Sequence, residues 1–458
     1  MRGGIPYSTG EPIRPEDYRR AIERTLLLHP AGYLLSAIGG AAACLDEAAL
    51  ECDLSRGIET NEEAVTFHLA TPDADLPFKL ALPFTFPVPS DTPSEDQGLE
   101  PLPATGPYIV TEAGPKHVEM ERNTTFVEWS AAAQPDGFVD AISWRFKEHL
   151  QGAFSRLQAG DLDVMVSEPR PQDLAVLRST HPDQVLTWPA PFTIFVGFDT
   201  VKPPFDDERV RQAVSFALDR EHLVDVLGGP TLQRQTCQIL PPNYQGYQPY
   251  CPYTLEPENL VWSAPAPDRA KALIEEAGAA GTPVDVLVAD NGLPPGSVDV
   301  MEYVRDLLAE IGLEPEFEIV HGANAYFPRI LPPAGDEPGT FAGTPRHPNI
   351  FLSGWIADYL GARNFIEPQF ACGEAGFANG HGWCDETLNE RMDEASGLQV
   401  TDPGAANRAW GEIEHQLVDA AVQAPITNPL TTHAVSDRAE NVQVHLQWGL
   451  MLSLIWVQ

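Results

Sequence analysis

The stretch FDTVKPPFDDERVRQAVSFALDREHLVDVLG, residues 198–228, decides how this chain is read. An apolar strand from about Phe195 runs into a proline pair, Pro203-Pro204, which cannot continue a ladder. Asp206 or Asp207 then supplies the side-chain oxygen that caps a helix. Apolar residues recur at helical spacing up to Gly228, where a glycine suits a helix end. Strand followed by a long capped helix is the unit of an α/β protein. Asp206, Asp207, Arg209 and Arg211 are read as structural, with an Asp at the cap and the arginines on the exposed face.

Outward from this stretch the same alternation continues. Downstream, helices are predicted over 267–277, 298–312, about 385–396 and 404–421, with strands at 284–289, 317–320 and 350–354. Upstream, residues 15–28 (PEDYRRAIERTLLL) read as a helix with Pro15 at its start, Glu16 and Asp17 in the first turn, and Tyr18, Ile22 and Leu26 on one face. Two alternating segments around Gly114-Pro115 form a hairpin, and 141–147 a further strand. The Pro- and acid-rich stretch 87–105 is a loop or boundary. No internal repeat is evident.

With 458 residues, the chain exceeds one ordinary core and calls for two or three domains. Acidic residues outnumber basic ones 66 to 28, for a net charge of −38, which argues against nucleic acid or an anionic membrane as partner. No apolar run is long enough to span a bilayer. The six cysteines fall into close pairs, Cys44 with Cys52, Cys237 with Cys251 and Cys372 with Cys384. Local pairs in even number fit disulfide loops of an oxidising compartment; the rival, a zinc site, has only His381 near Cys384 in its favour. The start, Met1-Arg-Gly-Gly-Ile-Pro-Tyr, has no apolar core of a signal peptide. Cysteines that point outside and a start that does not are reconciled if the chain begins within a domain, through a truncated gene model or as part of a longer protein. No GxSxG, HExxH, GxxxxGK[ST] or strand-linked GxGxxG is present, so an enzyme is not expected.

Six segments, in order, resemble the family 5 extracellular solute-binding proteins, which serve dipeptide, oligopeptide and nickel ABC importers. They are YSTGEPIRPEDYRRAIER (7–24), VTFHLATPDADLPFKLALP (65–83), TGPYIVTEAGPKHVEMERN (105–123), LQAGDLDVM (157–165), FDTVKPPFDDERVRQAVSFALDREHLV (198–224) and GWIADYLGARNFIEP (354–368). The resemblance implies an α/β, two-lobed fold of the type II periplasmic-binding-protein kind (cluster C), with an additional inserted domain and a ligand cleft between the lobes. On this chain, 1–103 would be a remnant of the inserted domain, 104–200 with 436–458 lobe I, and 201–435 lobe II. It also implies the substrate-binding component of an ABC importer: an extracytoplasmic monomer, lipoprotein or otherwise held in the cell envelope, that takes a peptide or similar small solute, needs no cofactor or metal, and docks on the permease's membrane subunits. The alternative is a solute-sensing module of a regulatory protein whose upstream domain is absent.

By the same resemblance Asp358 meets the ligand's ammonium group, a charge-assisted contact in a dry site, against the plain alternative of an Asp that tethers its own loop. Trp355 stands beside it as an aromatic wall or as core, and Tyr359, Asn364 and Phe365 follow in the same segment. Cys372 and Cys384 would staple the adjoining loop. Dipeptide-type members place an Arg before the helix that begins here near Val298, to hold the ligand's carboxylate; this chain has Ser297, Val298 and Asp299 instead. Arg329, Arg346 and Arg363 are possible substitutes, with solvated surface Arg as the plain alternative.

Overall fold

In the computed structural model, the described residues are 2–46, 49–146, 149–290, 296–332 and 347–458; Arg346 lies outside them. The chain forms two compact units, residues 1–186 with 433–458, and residues 187–432. Among the described residues no helix is long and apolar enough to cross a membrane.

The first unit opens with helix α1 (Pro15–Leu28), whose bounds are those the capping signals predict. Asp17 in its first turn is buried rather than merely facing the dipole. Its carboxylate accepts the Arg14 N–H (2.8 Å), the Tyr7 hydroxyl (3.0 Å) and the Ser90 N–H (2.9 Å), so one side chain ties the helix start to two loops. Ile22 and Leu26 pack with Leu35, Ile38, Leu54, Ile58 and the Cys44–Cys52 disulfide. A short hairpin follows, β1 (Ile58–Thr60) with β2 (Val65–Phe67). Residues 87–105 hold no helix or strand. The expected hairpin is β3 (Tyr108–Gly114) with β4 (His117–Arg122), joined on its other side by β5 (Ala141–Arg145). Helices α2 (Leu150–Ala159) and α3 (Pro171–Thr180) flank the two-residue strand β6 (Val164–Met165), which pairs with Ala434 and Val435 near the chain's end.

The second unit is built on strands β7 (Val185–Pro189), β8 (Phe192–Phe198), β9 (Gln233–Gln235), β10 (Pro283–Ala289), β11 (Glu314–Val320), β12 (Ile350–Ile356) and β13 (Gln423–Val435). Their order is β11-β10-β12-β8-β13, with β7 and β9 also on β13. β10 runs parallel to β11 and β12, and β8 antiparallel to β12 and β13. Parallel neighbours need crossovers; α7 (Ser297–Glu310), between β10 and β11, and α8 (Ala323–Ile330), between β11 and β12, supply these, while α4 (Glu208–Ala217) and α5 (Arg220–Val226) lie between β8 and β9, α6 (Pro267–Ala277) between β9 and β10, and α9 (Ala362–Phe370), α10 (Glu386–Thr401) and α11 (Pro403–Asp419) before the last strand. One face of the sheet carries the main core, with Ile194, Val196, Phe198, Val210, Val214, Val304, Phe365, Trp410 and Leu417; the other packs Phe195, Leu287 and Phe351 against Tyr326 and Ile330. Burial on both faces is why β8 and the first half of β12 read as continuous apolar runs. Gly197 lies opposite Phe351 in the register, and a Cβ there would sit 2.3 Å from the Phe351 ring.

Two expectations about 198–228 are corrected. The single long helix is two. Asp207 caps α4 through Arg209 N–H, the chain turns extended at Leu218, and Asp219 caps α5 through His222 N–H. A second Asp with the same capping chemistry starts a new helix where the first was read as continuing. Arg209 is on the exposed face as expected, but Arg211 is buried, and its guanidinium donates to the carbonyls of Phe205 (2.7 Å) and Ala420 (2.8 Å).

Two buried titratable groups give this unit opposing pH responses. Burial pushes the His381 imidazole down to about 4 from its ordinary 6.5; the ring stacks among Phe195, Phe351 and Phe370. Burial pushes the Glu414 carboxyl up to about 8 from 4.5, even though Leu240 N–H (2.7 Å) and the Gln238 amide (3.1 Å) donate to it. His381 therefore supports the fold fully above pH 6.5, and loses that support as pH falls through 4. Glu414 supports it fully below pH 4.5, and loses that support as pH rises through 8. The two slopes cancel between about pH 4.5 and 6.5, and from 6.5 to 8 the Glu414 contribution alone falls by about 2 kcal/mol. Urea titrations across this range are expected to show Glu414→Gln lacking that fall relative to the natural protein. Parallel pH profiles for the two would rule out Glu414 as its source.

Candidate functional site

The segment from Trp355 to Phe365 leaves the sheet at the end of β12 and enters α9. Strand alternation turns Trp355 half inward and Ile356 outward, the latter 61 % exposed. Ala357 N–H bonds to the Pro191 carbonyl (3.0 Å), which anchors the exit of the strand. The turn that follows is organised by Asn364 on the first helical turn. Its Oδ1 accepts the Asp358 N–H (2.7 Å) and lies 3.5 Å from Tyr359 N; its Nδ2 donates to Asp358 Oδ2 (3.0 Å), and its carbonyl accepts the Trp355 indole N–H (2.9 Å).

Asn364 thus fixes both, the indole through its main-chain carbonyl and the carboxylate through its buried side-chain amide. The Asp358 side chain is neither buried nor free to swing, and Trp355 stands edge-on to Phe377, ring centroids 6.1 Å apart. Phe377 is 45 % exposed and belongs to the loop closed by Cys372–Cys384, whose S–S distance is 2.10 Å and Cα–Cα distance 4.9 Å. The surface so made is apolar (Trp355, Phe377) beside a positioned acid, which suits a small ligand with a cationic group and an apolar body.

The other predicted residues are placed differently. Tyr359 is buried, and Phe365 is fully buried in the main core against Tyr244, so Phe365 has no surface to offer a ligand. Asn364 is a positioning residue. Ile356 and Phe377 were not singled out from sequence, because exposure of an apolar side chain leaves no mark in the order of residues. Ser297, at the place where dipeptide-type members carry Arg, is buried and donates to the Ala289 carbonyl (3.0 Å). Arg329 forms a two-pronged pair with Glu318 (2.9 and 3.1 Å) and Arg363 with Glu367 (2.8 Å each), so both are engaged by carboxylates of the chain itself.

Cys44–Cys52 and Cys237–Cys251 are also joined, at Cα–Cα 5.0 and 5.2 Å. Glu386 lies within metal-ligand range of Cys372 and Cys384, but the bond between the two sulfurs removes them as thiolate ligands.

Residues 1–377 match the family described as bacterial extracellular solute-binding proteins, family 5. The chain is 25 % identical over 415 residues to di/tripeptide-binding protein 2 of Pseudomonas aeruginosa, covering 86 % of this chain and 71 % of that one. It is 24 % identical over 326 residues to probable di/tripeptide-binding protein 5 of the same organism, and spans 56 % of that protein's length. Its fold matches a solved clavulanic acid biosynthesis oligopeptide-binding protein 2, with TM-score 0.82 and 23 % identity over 100 % of this chain and 82 % of that one. The α/β fold expected from residues 198–228 and their neighbours is thus the one found, and the chain belongs to the bacterial extracellular solute-binding proteins, family 5.

Proposed function

We propose that this protein is the solute-binding component of an ABC importer, that it acts outside the cytoplasm, and that it captures a short peptide or similar small solute at the Trp355–Asp358 segment. The observation that carries this reading is the Asp358 carboxylate, fixed by Asn364 beside exposed apolar side chains. Such a carboxylate recognises a peptide's α-ammonium, while the apolar wall receives a side chain. The peptide-binding relatives support the same ligand class. With Arg329 and Arg363 already paired and Ser297 turned into the fold, recognition rests on the ammonium end more than on a terminal carboxylate.

The protein acts by binding and without catalysis. Its His347–Asp199 pair (2.9 Å) is wholly buried, out of a substrate's reach. It works as a monomer delivering ligand to the membrane subunits, held at the envelope by a lipid anchor or by retention there.

Calorimetric titration with Ala-Phe and Ala-Phe-Ala tests the reading, each peptide with and without an N-acetyl group. The free peptides are expected to bind and the acetylated ones to bind about thirtyfold more weakly or not at all. Equal binding of the two forms would overturn the ammonium contact.

A further inference from the structure

Residues 254–264 form a closed loop whose tip is unusually apolar. Leu255, Leu260 and Val261 are 61 %, 47 % and 59 % exposed, within seven consecutive exposed residues. Three exposed large apolar side chains on one short loop make it a candidate interaction surface. Nor is the tip a floppy excursion. Leu255 N–H bonds to the Ala264 carbonyl (3.0 Å), and the buried Thr254 hydroxyl accepts the Ser263 N–H (2.8 Å) across the loop's neck. Asn259 and Leu260 donate back to Glu256 and Pro257, closing a tight turn. Trp262 is buried on the Cys237–Cys251 disulfide and pins the loop to the body of the unit. Leu260 holds the left-handed conformation, φ 58°, which costs a branched side chain more than it would glycine. The backbone keeps that strain and presents the leucine outward.

The anchor of the loop is close in the fold to the Trp355 segment. Two residues beyond Cys237, the Ile239 carbonyl accepts the Thr193 hydroxyl (2.9 Å), and Thr193 lies opposite Trp355 in the β8–β12 register. The tip also carries Glu256 and Glu258, with no Lys or Arg between residues 255 and 264. An anionic lipid surface would repel such a tip, as would a second copy of a chain with net charge −38. A rigid apolar prong with an acidic flank fits a protein socket that is apolar inside and rimmed by Lys or Arg.

We infer that the loop tip of Leu255, Leu260 and Val261 is the prong by which this protein docks on the membrane-embedded subunits of its importer. This rests on the importer reading above and adds the surface that serves it. The test uses the full-length protein in the organism that carries its gene, with the chromosomal copy deleted. Leu255→p-benzoylphenylalanine is expected to photo-cross-link to a membrane subunit of the importer, identified by mass spectrometry. Leu255→Ser/Leu260→Ser/Val261→Ser is expected to lower uptake of labelled Ala-Phe about tenfold or more, with binding of Ala-Phe in solution unchanged. Leu260→Gly, which relieves the strain, is expected to keep or raise the melting temperature while still lowering uptake; a merely structural leucine would not part the two readouts. Undiminished uptake by the triple variant would overturn the proposal, as would cross-links only to lipid or to a second copy. If the natural protein binds no peptide in solution yet cross-links to the importer, the prong stands and the peptide reading falls. If peptide binds through its ammonium group but no importer cross-link forms, the prong alone falls.

Discussion

Replacing Arg220 by Met is expected to destabilise the second unit by about 3 kcal/mol. Arg220 opens α5, is 1 % exposed, and donates through Nε to the carbonyls of Thr236 (3.0 Å) and Pro425 (2.9 Å) and through Nη1 to that of Ser215 (3.3 Å). The need for it arises in the sheet. The β13–β8 register shifts between Pro425 and Thr427, and a bulge leaves ladder groups without their regular partners. The guanidinium stays charged there even though burial pushes it down to about 10, because the fork spreads its charge over several carbonyl dipoles. Met has nearly the same reach and no donor, so these oxygens lose their partners while the volume stays filled. Arg220→Lys is expected to recover only part of the loss, since one ammonium cannot span the same carbonyls. Urea denaturation measures both. A loss below about 1 kcal/mol for Arg220→Met would mean that water reaches these oxygens and that the arginine is dispensable.

Asp358→Asn is expected to weaken binding of a free-amino dipeptide by about 2 kcal/mol, close to thirtyfold. The substitution keeps the side chain's shape. The new carboxamide still presents an oxygen to Asn364 Nδ2, now 3.0 Å from Asp358 Oδ2, and the backbone bonds to Asn364 Oδ1 remain. What is lost is the charge, and a partly desolvated ammonium left without its counter-charge is costly. Asn364→Ala separates the two roles of the segment. It removes the tether of Asp358 and Tyr359 and should lower thermal stability and affinity together, whereas Asp358→Asn should lower affinity alone. If Asp358→Asn binds the dipeptide as tightly as the natural protein does, Asp358 is only a loop tether and the ligand's ammonium is met elsewhere.

The helices and the paired cysteines were open to inspection in the sequence because their determinants are local. Pro15 and the acidic first turn start α1, and glycine follows the predicted end of α6 at Gly278 and closes the predicted α7 at Gly312. Alternation or an unbroken apolar run marks β8, β10 and β12 according to whether one face or both are covered. The break between α4 and α5 was missed because Asp219 reads equally well as a helix-interior residue on an exposed face or as a cap, and periodicity alone favours the first.

The candidate site was half visible. The segment 354–368 stood out by its resemblance, and within it the acid and the indole were the residues with chemistry to offer. Which of its members face outward was decided elsewhere: Phe365 sank into the core because α9 packs there, and Asn364 became the tether because helix entry brings its amide back to Asp358. Arg211 and Arg220 carry the same point. In the sequence they are charged residues on a helix. In the fold they end at carbonyls left unpaired by residues some two hundred positions away, Ala420 and Pro425. The sequence by itself determined most of the elements, the cysteine pairs and the family, since these depend on neighbours along the chain. Only the tertiary structure decided which polar groups are buried, which apolar ones are left bare at 255–261 and 356, and where each charge finds its partner, because those follow from the packing of segments that the sequence holds far apart.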